Sequence, residues 1–150
     1  MQQITGNLID LALAGKFDVI IHGCNCMHTM GAGIAKPIAQ LFPEAYAADK
    51  ATPHNDRTKL GTFSKAEVTR GDIAFTVVNA YTQFDYKSKG RRADYDAIER
   101  VFAAIGQTFP KARIGYPMIG AGLAGGDWTV IAPLIDKGLQ GCDHTLVVLP

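Results

Sequence analysis

The chain is expected to fold as a three-layer α/β domain, and three observations lead there. Short apolar runs rich in β-branched residues alternate with segments of helical periodicity along most of the 150 residues. Two of those runs lead into glycine loops, Gly31-Ala32-Gly33 after a polar stretch and Gly120-Ala121-Gly122 directly. Apolar residues make up 47% of the chain and charged residues 19%, which marks a globular protein with a core and excludes a disordered one. The length suits a single domain, 1–150.

Taken in order, residues 2–5 form a first strand, which Gly6-Asn7 breaks. Leu8, Leu11, Ala12 and Leu13 give a weak helical pattern that stops at Gly15. Residues 17–22 form a buried strand, and the chain then turns polar at His22, Cys24, Asn25 and Cys26. After the first glycine loop, residues 32–42 are helical, with Ile34, Ile38, Leu41 and Phe42 on one face. Pro43 starts another helix, to Lys50, and residues 53–59 are polar and loop-like. Strands at 62–68 and 74–80 are joined by a Gly71-Asp72 turn, and a basic loop follows at 82–92. Residues 95–109 carry the clearest helical pattern, through Ile98, Val101, Phe102 and Ile105, and Pro110 ends it. A strand at 113–118 leads into the second glycine loop. A helix from Trp128 to about Lys137 and a strand at 143–149 close the chain.

The formal net charge of +1 gives no bulk electrostatic case for nucleic acid or a membrane surface. No apolar stretch approaches the ~18 residues of a membrane-spanning helix, and the start lacks a signal-peptide pattern. Three cysteines, Cys24, Cys26 and Cys142, favour free thiols in a reducing compartment, so a cytoplasmic location is expected.

Several chemistries are excluded by spacing. The first glycine loop lacks the Gly-Lys-Ser/Thr of a phosphate-binding P-loop, since Lys36 follows Gly33 by three residues. No Gly-x-Gly-x-x-Gly with a following acidic residue indicates a nicotinamide cofactor. A cysteine phosphatase needs an arginine six residues after its nucleophile, where this chain has Met30 or Ala32. His22, Cys24, Cys26 and His28 could share one strand face, but so tight a run does not easily wrap a tetrahedral metal, and buried free cysteine is the better account. No metal and no cofactor are expected. What remains is a pair of glycine loops, each following a strand, suited to clasp phosphate through backbone N–H groups.

The residues Gly6-Asn7-Leu8, Ile21-His22-Gly23-Cys24-Asn25-Cys26, Met30 to Ala35, Ile119 to Leu123 and Asp127-Trp128 together resemble a macro domain, in an order that covers nearly the whole chain. The resemblance is nearest to the branch holding the fungal ADP-ribose 1″-phosphate phosphatase and the terminal ADP-ribose protein glycohydrolases. It implies a mixed sheet between helices and a cleft for ADP-ribose at the strand ends. It further implies that Asn7 and Leu8 contact the adenine, with Asn7 standing where the family usually has an Asp. By the same resemblance Asn25 hydrogen-bonds the distal ribose, and Cys24 beside it is among the ligand-binding residues. Met30, Gly31, Ala32, Gly33 and Ile34 cradle one side of the diphosphate, and Ile119, Gly120, Ala121, Gly122 and Leu123 close the other.

His22 reads either as a satisfied buried histidine or as a general acid or base, and the phosphatase's histidine at the corresponding place favours the second. Asp127 reads as a helix cap and as a carboxylate near the distal end, roles that can coexist. Lys87, Lys89, Arg91 and Arg92 are either a solvated run or a basic lid. The glycohydrolases' catalytic lysine and aspartate fall at Gln83 and Ala124 here, which counts against lysine-based deglycosylation. The expectation is therefore a phosphatase acting on ADP-ribose 1″-phosphate, with His22 and Asp127 catalytic. The alternatives are a non-catalytic ADP-ribose module and a glycohydrolase that uses Lys87 or Lys89. The expected partner is a small ADP-ribose derivative, with neither membrane nor nucleic acid.

Overall fold

The computed structural model describes all residues, 1–150. Six strands and five helices alternate as expected. The strands are β1 (Gln2–Thr5), β2 (Val19–Cys24), β3 (Phe63–Arg70), β4 (Ile73–Tyr81), β5 (Arg113–Tyr116) and β6 (Asp143–Val148). The helices are α1 (Leu8–Leu13), α2 (Ala35–Leu41), α3 (Pro43–Lys50), α4 (Tyr95–Thr108) and α5 (Trp128–Gly138).

The strands form one mixed sheet in the order β1-β6-β5-β2-β4-β3, parallel throughout except for the antiparallel β3–β4 pair. Alternation within β2 builds both cores at once. Val19 and Ile21 point into the layer made by α4 and α5, with Val78, Ile98, Phe102, Ile131 and Ile135. Ile20 points the other way, to Leu8, Ile38, Phe42, Ala45 and Val77 under α1, α2 and α3. A strand covered on both faces must be apolar almost throughout, which is why β2 reads as a continuous hydrophobic run.

Local chemistry sets the helix starts. Asn7, Asp94 and Asp127 each cap a helix by accepting the backbone N–H of Asp10, Ala97 and Thr129 in turn. Pro43 opens α3, where its missing N–H costs nothing. The expected helix at 32–42 begins only at Ala35, because residues 31–34 stay in the glycine loop. Residues 57–59, expected as loop, make one turn of 3₁₀ helix capped by Asp56. The strand expected at 113–118 stops at Tyr116, where Pro117 removes a ladder donor. No helix is long and apolar enough to cross a membrane.

Candidate functional site

The sheet places the site. Because β1, β6, β5, β2 and β4 run parallel, their carboxyl ends share one rim. That rim carries Gly6-Asn7, the 25–34 loop, the 82–92 loop and the 117–127 loop. The chain leaves β2 for α2 and α3 on one face, and leaves the adjacent β5 for α5 on the other. Such a reversal opens a crevice at the strand ends. The ladder shows it: β2 pairs with β4 from Val19↔Thr76 to Cys24↔Tyr81, but with β5 only at Val19↔Ile114 and Ile20↔Gly115. At the crevice floor, a Cβ added to Gly23 would lie 2.8 Å from Thr82 Oγ1 and 3.2 Å from Ile119 Cγ2, so glycine is required there.

The two glycine loops face each other over this crevice. A Cβ on Gly33, whose φ is +58°, would sit 3.6 Å from Leu123 Cδ1. The backbone N–H groups of Met30, Gly31, Ala32, Gly33 and Ile34 have no protein acceptor, nor do those of Gly120, Gly122, Leu123 and Ala124. Gly31, Ala32, Gly33, Gly122 and Leu123 are exposed. Two sets of N–H donors without a protein acceptor, on loops that face each other, are what a backbone anion site requires. Asn7 lies three strands away on the same rim, about 14 Å at the usual strand spacing. The Asn7 carboxamide oxygen caps α1 by accepting the Asp10 N–H at 3.1 Å. Leu8 is buried, so only its backbone faces the rim.

Asn25 shapes the first loop from inside. Its side-chain oxygen accepts the Met27 N–H at 2.9 Å and its amide donates to the Thr29 carbonyl at 3.0 Å. Tyr46 O–H donates to the His28 carbonyl at 3.0 Å, and His28 holds a positive φ of 58°. The side chains of Cys24, Cys26 and Met30 pack inward with Tyr81, under α2 and α3. Burial pushes the Cys26 thiol up to about 11 and the Cys24 thiol up as well, so both stay protonated at neutral pH. The run of His22, Cys24, Cys26 and His28 does not converge: Cys26 turns to the Gln83 carbonyl and His28 to the Thr52 carbonyl.

The two residues expected to be catalytic lie in different surroundings. His22 is completely buried and shares the strand face of Ile20. Its Nε2 lies 2.6 Å from the Asn79 oxygen, while the Asn79 amide donates to the Ala45 carbonyl and to Ser64 Oγ. With the Asn79 amide committed, Nε2–H must be the donor, so the ring carries its proton on that nitrogen. Burial lowers the His22 pKa and keeps the ring neutral. Asp127 is exposed and starts α5 on the opposite face, accepting from Thr129 N–H and O–H at 2.9 and 2.7 Å. Those bonds hold its carboxyl below the usual range. No hydrogen bond joins His22 to Asp127: the first is bonded to Asn79 inside the sheet's α2–α3 side, the second to Thr129 at the start of α5.

The basic loop at 82–92 is largely turned on itself. Arg91 stacks on the Tyr95 ring at 3.9 Å, and Lys87 lies 5.3 Å from the Tyr86 ring. Arg92 donates from Nη1 to the Ser88 carbonyl and from Nη2 to the Leu123 carbonyl. Lys59, in a stretch that reads as polar loop, is buried over the Tyr81 ring at 4.3 Å with its Nζ unpartnered. Periodicity shows neither the turn of Arg92 to the Leu123 carbonyl nor that of Lys59 to Tyr81, because those two partners lie far along the chain.

No family model matches the chain. An uncharacterized 17.5 kDa protein from the tk-vs intergenic region of Enterobacteria phage T4 is 35% identical over 141 residues, covering 91% of this chain and 88% of that one. The macrodomain of Thermus aquaticus DarG superposes with a TM-score of 0.73 at 20% identity, over 99% of this chain and 97% of that one. A macrodomain protein from Streptomyces coelicolor gives 0.65 at 27% identity, over 86% of each chain. A Trypanosoma brucei macrodomain in complex with ADP-ribose gives 0.59 at 14% identity, over 89% of this chain and 58% of that one. The chain belongs to one family with the phage T4 17.5 kDa protein, and its architecture is that of the macrodomains.

Proposed function

We propose that the rim binds ADP-ribose or a compound that carries it. The diphosphate would lie between the two glycine loops, the adenine toward Asn7 and the distal ribose toward Asn25. The observation that carries this reading is the pair of facing sets of N–H donors without a protein acceptor, 30–34 on one loop and Gly120, Gly122, Leu123 and Ala124 on the other, at the sheet's split. The ADP-ribose held by the Trypanosoma brucei macrodomain supports it. The test is calorimetry of the pure protein with ADP-ribose, beside adenosine alone. Binding of ADP-ribose with little or none of adenosine is expected, because most donors face the diphosphate. Equal weak binding of both would defeat the proposal.

Turnover is a second reading, and Asp127 favours it. Its carboxylate is ionised, exposed and directly follows the second loop, with Oδ2 free to orient a water. On this reading the protein releases phosphate from ADP-ribose 1″-phosphate, by positioning and backbone donors rather than by a histidine acid or base. Phosphate release should fall at least about a hundredfold in Asp127→Asn while ADP-ribose binding persists. His22→Gln, by contrast, should change turnover only as far as it loosens the fold. Tight binding of ADP-ribose without phosphate release would leave a binding module.

A further inference from the structure

We propose that Arg92 is the positioning residue of the second glycine loop, fixing the Leu123–Ala124 peptide so that its N–H faces the bound anion. The inference rests on the reading that the rim binds a diphosphate. In a trans peptide the C=O and N–H point in opposite directions. Arg92 Nη2 holds the Leu123 carbonyl oxygen toward the 88–92 segment. The Ala124 N–H is thereby turned to the other side, where no protein acceptor meets it.

The side chain is not needed merely to tether the loop. The backbone N–H groups of Arg92 and Ala93 already hold the Ala124 carbonyl, at 2.7 and 3.1 Å. What the guanidinium adds is control of one peptide plane, the one whose N–H has no partner in the chain. Its other anchor is firm: Nη1 donates to the Ser88 carbonyl at 3.1 Å, and Ser88 Oγ is tied to Asp85 at 2.6–2.7 Å. The arrangement leaves the buried Nε without a partner, a cost that a tie made by backbone alone would avoid. Lysine cannot reproduce the fork, because its ammonium is a point charge on a flexible stem.

The test uses the full chain as wild type, Arg92→Ala and Arg92→Lys, with ADP-ribose as the probe. Calorimetry gives affinity, circular dichroism gives folding, and the Ala124 amide is followed by NMR. Wild type should bind and show a ligand-induced downfield shift at Ala124. Arg92→Ala should stay folded, lose at least about tenfold in affinity and lose that shift. Millimolar guanidinium should restore part of both, which a general loss of stability would not allow. Arg92→Lys should fall between, and it carries the test if Arg92→Ala does not fold. Binding within about twofold of wild type with the Ala124 shift intact overturns the inference. Failure of the wild type itself to bind removes the diphosphate reading, and this inference with it.

Discussion

A methyl group added at Gly126 in the second glycine loop would run into the Gly120 carbonyl oxygen and lie 2.8 Å from Ile131 Cδ1. One added at Gly120, where φ is +77°, would meet Ile131, Ile98 and Ala93 at 3.0–3.4 Å. In the first loop the neighbourhood is empty. Gly31 would meet only Thr29 Cγ2 at 3.9 Å, and Gly33 only Leu123 across the crevice. The two loops look alike in sequence, but the fold demands Gly120 and Gly126 of the second, whereas nothing in the fold demands Gly122 beside them or Gly31 of the first. A glycine that packing does not require is a sign that something outside the chain has to come close.

The contrast can be broken by substitution. Gly126→Ala should destabilise most, by about 3 kcal/mol in denaturant unfolding, because backbone must shift to admit the methyl. Gly120→Ala should cost about 2 kcal/mol, from the left-handed backbone together with the crowding. Asp127→Ala should cost less than either, by removing the α5 cap, a loss that is independent of any ligand. Gly31→Ala should leave stability within about 0.5 kcal/mol and still weaken ADP-ribose binding in calorimetry. If Gly31→Ala unfolds the protein as Gly126→Ala does, the distinction between the loops is gone.

The buried histidine beneath the first loop sharpens the comparison from another side. Because burial lowers the His22 pKa, the unfolded chain takes up a proton that the fold refuses. Stability should therefore be full above the ordinary value of 6.5 and fall as the pH drops below it. His22→Gln should flatten that fall in thermal melts at a series of pH values, leaving the share due to His144, whose pKa is also lowered.

Element order, both glycine loops and the rim were legible because they depend on short-range pattern: β-branched runs, helical spacing, and glycine after strand. The surroundings of His22 were not. Its parity with Ile20 already placed it on a buried face, but its partner Asn79 comes from β4, fifty-seven residues on, and periodicity carries no such pairing. Asp127 was legible as a cap, since an Asp before a helical pattern is a local signal. Arg92 and Lys59 were missed for one reason: a charge in a polar stretch reads as solvated, and only the folded chain shows where its head group turns.

The short pairing of β2 with β5 has a consequence for motion. The sheet is stitched at that seam by only two residue pairs, so no ladder joins β1-β6-β5 to β2-β4-β3 toward the carboxyl end. A ligand clasped by both loops would act as a third stitch, drawing the halves together where the backbone does not. Hydrogen exchange should then slow on binding not only in the loops but at Ile21 to Cys24 and at Tyr116, residues that no ligand atom needs to touch.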